Sequence, residues 1–391
     1  MFQKKEQDSL CSYMQGDAGF NHTLDLTTNC FLKDSAEGNH DISYTETESG
    51  CIIQLTYIIL TAFMSVLSVI GPIIYMCCYC TMPRLFNNLR KLLLCLFICD
   101  MMVAIGNLLG ILWLIIYKPI ETDSICVAQA VISTGFSLAG VLWIFWIAVN
   151  ILLAVIYNSQ VLTERFNWLL HLTSWFIPVT IVVLGLINHR FGYNPCLDMI
   201  WWCWITPLPN DKPGLVFFWQ LISVKGWEII AYICVLTIYC IVKCWLYRLN
   251  IAHREEAEAN HQREDNNRSI QEFRNYYNAQ KKLLYIPLVF ILGSIWGTLR
   301  FLLDFEKSTE RIGDYIAILQ GVGDSSQGFL NFMVIVIATP QLRDAFRMWC
   351  RRHFSTHRVR LEEDNEDLPR GDNSDADSDT DLITDHSVEE D

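Results

Sequence analysis

Charged and amide side chains recur inside long apolar stretches of this 391-residue sequence, and their types and spacing define the chemistry open to it. Lys225 and Glu228 stand three residues apart, on one face of a helix. Arg300 and Trp296 lie in a later apolar stretch, and Gln129 in an earlier one. Lys225, Glu228, Arg300, Trp296 and Gln129 are therefore candidate ligand contacts. The two cations would either recruit an anionic group or neutralise Glu228 and Asp304. Trp113, Tyr117 and Ser133 would complete such a pocket, unless the aromatics serve as interfacial anchors or core. A second set, Asp100, Asn150, Asp324, Gln327 and Asn331, sits deeper in apolar surroundings, where polar groups are costly and turn to the bundle interior. These predict an internal polar network that either packs helices together or rearranges, with Asp100 a candidate holder of a cation.

Other chemistries lack their groups. The last apolar stretch has no lysine for a retinal Schiff base of the kind used by microbial light-driven pumps. His171 is the only histidine well inside an apolar stretch, so a metal hydrolase embedded in the membrane has no ligand set. Gly321-Val322-Gly323 lies within an apolar stretch, where small residues permit close helix packing; it is no phosphate loop. No internal repeat relates the two halves, as transporter architecture requires. The expectation is a protein with no metal and no cofactor that is not an enzyme.

Seven apolar segments must position these residues: 52–80, 89–117, 126–157, 167–188, 214–246, 283–305 and 312–338. Each is about the length that crosses the hydrocarbon layer as a helix, and 52% of all residues are hydrophobic. The fold class is an all-α membrane protein, a seven-transmembrane helix bundle. Residues 361–391 hold fourteen acidic residues against Arg370, which accounts for the whole formal charge of −13 and leaves no basic footprint for nucleic acid. Positive residues fix orientation. One set of loops carries Arg84, Arg90, Lys91, Arg165, Arg248, Arg254, Arg263, Arg268, Arg274, Lys281, Lys282, Arg343, Arg347, Arg351 and Arg352; the other carries Lys118, Arg190, Lys212, Lys307 and Arg311. This places the N-terminus outside and the C-terminus in the cytoplasm.

The chain then divides into an extracellular segment (1–51), the bundle (52–338), a juxtamembrane amphipathic helix on the lipid surface (339–358) and an acidic disordered tail (359–391). Residues 1–50 contain no apolar core of a signal peptide, so the first span would target the chain to the membrane. Asn21-His22-Thr23 is a glycosylation sequon. Cys11, Cys30 and Cys51 would pair if outside, or be incidental. Cys126 at a helix mouth and Cys203 in the second outer loop would form a staple, leaving Cys196 for another partner. Cys77, Cys78, Cys95, Cys99, Cys234, Cys240 and Cys244 read as unpaired and buried. Pro287, just after Lys281-Lys282, would bend the sixth helix near its inner end. The stretch 247–280, free of Pro and Gly, would extend the fifth and sixth helices beyond the membrane. Cys350 is a candidate for acylation, and Ser374, Ser378, Thr380, Thr384 and Ser387 are candidate kinase sites on a tail suited to a basic adaptor such as arrestin.

Several stretches carry a family resemblance: Leu92-Leu93-Leu94 through Asp100, Trp202-Cys203-Trp204-Ile205, Lys225 through Trp227-Glu228 with Ala231-Tyr232, and Lys281-Lys282 with Ile286-Pro287-Leu288. To these add Trp296, Thr298, Arg300-Phe301, Gly321-Val322-Gly323, Gln327-Gly328 and Asn331. From the first span to the seventh, the chain resembles the cyclic-AMP-receptor-like G-protein coupled receptors, a group that includes slime-mould chemoattractant receptors and an animal orphan branch. Ile156-Tyr157-Asn158 and Ala338-Thr339-Pro340 depart from rhodopsin-like switch motifs at the ends of spans three and seven. The resemblance implies a plasma-membrane receptor that couples an unknown extracellular ligand to heterotrimeric G proteins by movement of helix six. Arg165, Arg248, Lys281 and Lys282 would face the G protein. It also supports the Cys126–Cys203 staple. A seven-helix transporter or channel is the alternative.

Overall fold

The computed structural model describes residues 43–81, 88–117, 123–157, 167–193, 202–208, 211–259, 285–306, 310–339, 343–344 and 347. Seven long helices dominate: α1 (Ser43–Thr81), α2 (Asn88–Tyr117), α3 (Ser124–Tyr157), α4 (Asn167–Ile187), a composite α5, α6 (Tyr285–Glu306) and α7 (Glu310–Ala338). α5 runs as an α-helical piece Pro213–Gln220, a π-helical turn Leu221–Lys225 and a second α-helical piece Gly226–Ala259. The apolar segments dictate this, because a backbone crossing lipid must satisfy every N–H and C=O within its own helix. α1 begins at Ser43, inside the segment read as extracellular, and α5 continues well past residue 246, as the Pro- and Gly-free stretch predicted. A two-stranded antiparallel ribbon, β1 (Phe191–Gly192) and β2 (Trp204–Ile205), was not foreseen.

Six of the seven helices are long and apolar enough to cross a membrane by length and composition. α7 is more polar, with Asp324, Ser325, Ser326, Gln327 and Asn331 along its middle. Those groups point inward: Ser325, Ser326 and Asn331 are buried, whereas Leu292, Phe176, Ile233 and Ile337 on the helix exteriors are more than half exposed. Apolar outside and polar inside is the reverse of a water-soluble protein, and lipid makes that arrangement stable.

α3 is the axis of the bundle. Its span is 61% buried, against 22% for α4 at the rim. α1 packs on α2 and α7, α2 on α3, α3 on α4 and α5, and α6 chiefly on α7. Glycines set the closest approaches: an ideal Cβ on Gly323 would lie 2.2 Å from the Gly293 carbonyl oxygen, so α6 and α7 touch backbone to backbone. The Gly-Val-Gly stretch thus serves packing, as read from the sequence. Pro72 and Pro178 sit inside α1 and α4. Pro287 occupies the first turn of α6 as described, where a missing N–H breaks no intrahelical bond; the residues before it lie outside the description.

One expectation needs correcting. The span cysteines are free, but only Cys78 and Cys99 are buried; Cys77, Cys240 and Cys244 are exposed on outward faces. A helix apolar on all sides gives no sequence signal of which face turns in.

Candidate functional site

The site lies beneath a loop tied to the start of α3. Asp123 caps that helix, its Oδ1 accepting the Cys126 N–H at 2.8 Å. Cys126 and Cys203 are joined by a disulfide, with Cα atoms 5.4 Å apart. One turn along α3, Gln129 Oε1 accepts the Cys203 N–H at 2.9 Å, and its Nε2 donates to Ser133 Oγ at 3.1 Å. Gln129 thus holds the loop, with both ends of its amide engaged by protein. The loop's other anchor is Arg190, whose guanidinium pairs with Asp211 and lies 5.6 Å from the Trp219 ring centroid. Asp211 Oδ2 also accepts the Leu208 N–H at 2.9 Å. His189, at φ 51°, makes the left-handed turn that leads from α4 into β1. Trp113, buried on α2, packs on Tyr193 of the loop, ring centroids 5.8 Å apart.

Below the loop, the π-helical turn of α5 delivers two charges to the interior. Gly226 N–H donates to Leu221 O, an i to i−5 bond, and Trp227 Nε1 donates to Ile222 O at 2.9 Å. That indole satisfies a carbonyl which the widened turn leaves without an ordinary helical partner. Lys225 Nζ donates to Glu228 Oε2 at 2.8 Å, and both residues are 5% exposed. Of the two roles open to Lys225 in the sequence, the structure displays the intramolecular ion pair. Thr298 Oγ1 of α6 donates to the same Glu228 oxygen at 2.8 Å, and Tyr232 Oη lies 3.1 Å from Thr298 Oγ1. Gly297 makes room for the ammonium: a Cβ there would stand 2.9 Å from Lys225 Nζ and 3.0 Å from Gln320 Nε2 of α7. Asp324, hydrogen-bonded to Gln320, is within electrostatic reach of Lys225 and Glu228. Three helices therefore converge on one lysine.

Arg300, one turn along α6, is buried with its guanidinium carbon 5.8 Å from the Trp202 ring centroid. Trp202 also stacks on Tyr57 of α1 at 6.1 Å, roofing the charged cluster beside the disulfide. Trp296 is half-buried on α6. Thr298, Tyr232 and Gln320 had no role assigned from sequence. Tyr232 lies four residues from Glu228 on α5 and Thr298 seventy residues away on α6, so their pairing shows only once the two helices are side by side.

The second set divides. Asn331 Nδ2 of α7 donates to Asp100 Oδ2 of α2 at 2.8 Å. Ser68 of α1 joins nearby, donating to Ser325 O and accepting the Phe329 N–H at 3.1 Å, and Asn107 Nδ2 reaches Ser325 Oγ at 2.9 Å. Gln327 instead lies against Gly293 of α6. Asn150 donates to its own helix at Trp146 O, 2.8 Å away. Asp324 belongs with Lys225. Arg248 is exposed on α5. Asn21, Arg165, Lys281, Lys282, Cys11, Cys30, Cys196 and Cys350 lie outside the described residues, as does the tail, and the side chains of Tyr117, Cys51 and Asp304 are likewise undescribed. In the juxtamembrane stretch, Asp344 and Arg347 form an exposed ion pair at 3.7 Å.

This architecture is shared with squid rhodopsin: the crystal structure aligns with a TM-score of 0.59 over 76% of this chain and 87% of that one, at 16% identity. The fold is that of the seven-helix receptors. In sequence the chain is similar to G-protein coupled receptor 157 of Mus musculus, 29% identical over 285 residues, which are 73% of this chain and 82% of the relative. The Rattus norvegicus and Homo sapiens proteins of the same name match at 29% and 28%, covering 73% of this chain and 83% and 81% of their own lengths. No family model matches the chain. Fold and sequence similarity together support a G-protein coupled receptor rather than a transporter or channel for this multi-pass membrane protein. The resemblance read from the sequence leads to these same receptors.

Proposed function

We propose that the chain carries a signal from an extracellular ligand to a heterotrimeric G protein, with the disulfide end of the bundle and the N-terminus outside and the C-terminus in the cytoplasm. The excess of Arg and Lys in the loops at the opposite end supports this orientation. Residues 1–51 then form the outer segment, with Asn21 as glycan acceptor. Residues 339–358 lie on inner-leaflet lipid, and 359–391 offer a cytoplasmic tail to kinases and arrestin. The ligand binds under Trp202, at Arg300, Lys225 and Glu228, with Trp296 and Gln129 at the margins. Helix six moves in response, and the G protein meets Arg165, Arg248, Lys281 and Lys282.

One observation carries the reading: the buried Lys225–Glu228 pair, bonded across to α6 at Thr298. Burying two charges within a membrane bundle is expensive, and such groups mark functional sites. A shift from mostly resting to mostly active needs about 5 kcal/mol of differential ligand affinity, which a few desolvated charge contacts supply. The test is nucleotide exchange on G proteins in membranes carrying the full chain, followed by a ligand screen on wild type, Lys225→Ala and Arg300→Ala. The expected agonist loses at least about tenfold in potency on both variants, one such charge contact being worth about 1.4 kcal/mol or more. Ion or solute flux without any nucleotide exchange refutes the proposal.

A further inference from the structure

The seam between α5 and α6 is joined in its own way. α6 packs chiefly on α7 and only lightly on α5, yet polar side chains bridge that thin seam. Glu228 and Tyr232, four apart on α5, face Thr298 and Ser294, four apart on α6. Thr298 Oγ1 donates to Glu228 Oε2 at 2.8 Å, and Tyr232 Oη donates to Ser294 Oγ at 2.9 Å while standing 3.1 Å from Thr298 Oγ1. Two antiparallel helices thus share a ladder of two rungs.

The protons are accounted for. Ser294 spends its hydrogen on Phe290 O, 2.7 Å away, and Thr298 spends its own on Glu228. Both hydroxyl oxygens are left as acceptors toward Tyr232, which has one hydrogen to share between them. The order of the ladder therefore depends on Glu228 remaining an acceptor for Thr298, held from its other side by Lys225 Nζ at 2.8 Å. Every bond in this set joins two groups of the chain itself. A ligand that draws Lys225 away from Glu228 Oε2, or takes that oxygen as its own acceptor, competes with these bonds, so by linkage it favours the state in which the ladder is open.

We propose that Thr298 and Tyr232 are positioning residues that fasten α6 to α5 in the resting receptor, and that ligand capture at Lys225 and Glu228 signals by undoing the Glu228–Thr298 rung. This rests on the receptor reading above. A ligand acting there releases the sixth helix by taking over a bond, without pushing it. Weakening the ladder chemically does part of the ligand's work.

The experiment measures basal nucleotide exchange on G proteins in membranes bearing the full chain, normalised to surface expression. Thr298→Val removes the rung with little change in volume, and Tyr232→Phe removes the second while keeping the ring against Phe290, at 5.8 Å. Interhelical hydrogen bonds in membranes are worth enough to raise basal exchange by about three- to fifteenfold in each variant. Thr298→Ser, which keeps the hydroxyl, is expected to restore the wild-type level. Thr237→Val is the control, since Thr237 is exposed and bonds only Ile233 O of its own helix in the described contacts; it is expected to change nothing. Should Thr298→Val fail to reach the surface, Tyr232→Phe carries the same comparison. Wild-type exchange unaccompanied by any rise in these two variants overturns the fastening and leaves the receptor reading standing. Absence of exchange from the wild type and from both variants alike, across all classes of Gα, overturns the receptor reading and the fastening with it.

Discussion

Replacing Gly323 by alanine tests whether α6 and α7 meet as closely as described. An ideal Cβ at residue 323 falls 2.2 Å from the Gly293 carbonyl oxygen and 3.1 Å from its carbonyl carbon. Carbon–oxygen contacts between helices close no nearer than about 3.3 Å, so the two helices must part by roughly 1 Å. Backbone atoms cannot rotate aside, which puts the strain near the upper end of the usual overpacking cost, about 3 kcal/mol. Alanine's better helix propensity returns about 1 kcal/mol. The net loss of about 2 kcal/mol corresponds to a fall in melting temperature of roughly 4–8 °C on the scale of 150–250-residue domains. Tryptophan fluorescence of detergent-solubilised protein during heating measures it. Gly214→Ala is the comparison, because nothing lies within 4 Å of its added carbon. If Gly323→Ala melts together with wild type and Gly214→Ala, the backbone contact is not there and the glycine argument fails.

Two further predictions concern the charged cluster and its roof. Lys225→Met strands Glu228 in the interior and is expected to cost about 3–5 kcal/mol. Adding Glu228→Gln should recover only part of this, because Asp324 has then lost its cation as well; Asp324→Asn should recover the rest. Melting curves of the three variants decide it, and no gain from the second or third change would show that the charges are not coupled. Cys126→Ser, Cys203→Ser and the double variant should lose the same stability, about 2–4 kcal/mol, since the pair forms one bond closing a 77-residue separation. Unequal or additive losses would mean that the two cysteines stabilise the bundle separately.

Much of this architecture is legible in the chain because lipid leaves few choices: a run such as residues 126–157 has to be a helix, and α3 runs from Ser124 to Tyr157. The Lys225–Glu228 pairing was also within reach, since a three-residue spacing brings two side chains onto one face. What stayed hidden depends on azimuth and on long-range company. Asn150 and Asp100 are both deep, but Asn150 turns back to Trp146 O, and sequence depth says nothing of that rotation. Arg190 and Asp211 are 21 residues apart, on either side of the β1–β2 ribbon, and nothing in the sequence marks them as partners. The Asp123 cap was detectable: an acid three residues before a helix-mouth cysteine is an ordinary N-terminal signal. Thr298 was visible as a residue and invisible as a partner, because its acceptor comes from a helix seventy positions away.

The widened turn at Leu221–Lys225 has a bearing on how this helix bundle is compared with others. One additional residue in a turn rotates everything that follows by about 100°, more than a quarter of a revolution. Glu228, Tyr232 and Val235 owe their inward bearing to that offset. Matching the fifth helix to an unbroken one in another seven-helix bundle therefore calls for a single-residue gap at this point, and without it each equivalence drawn further along would name a neighbour that looks out at the lipid.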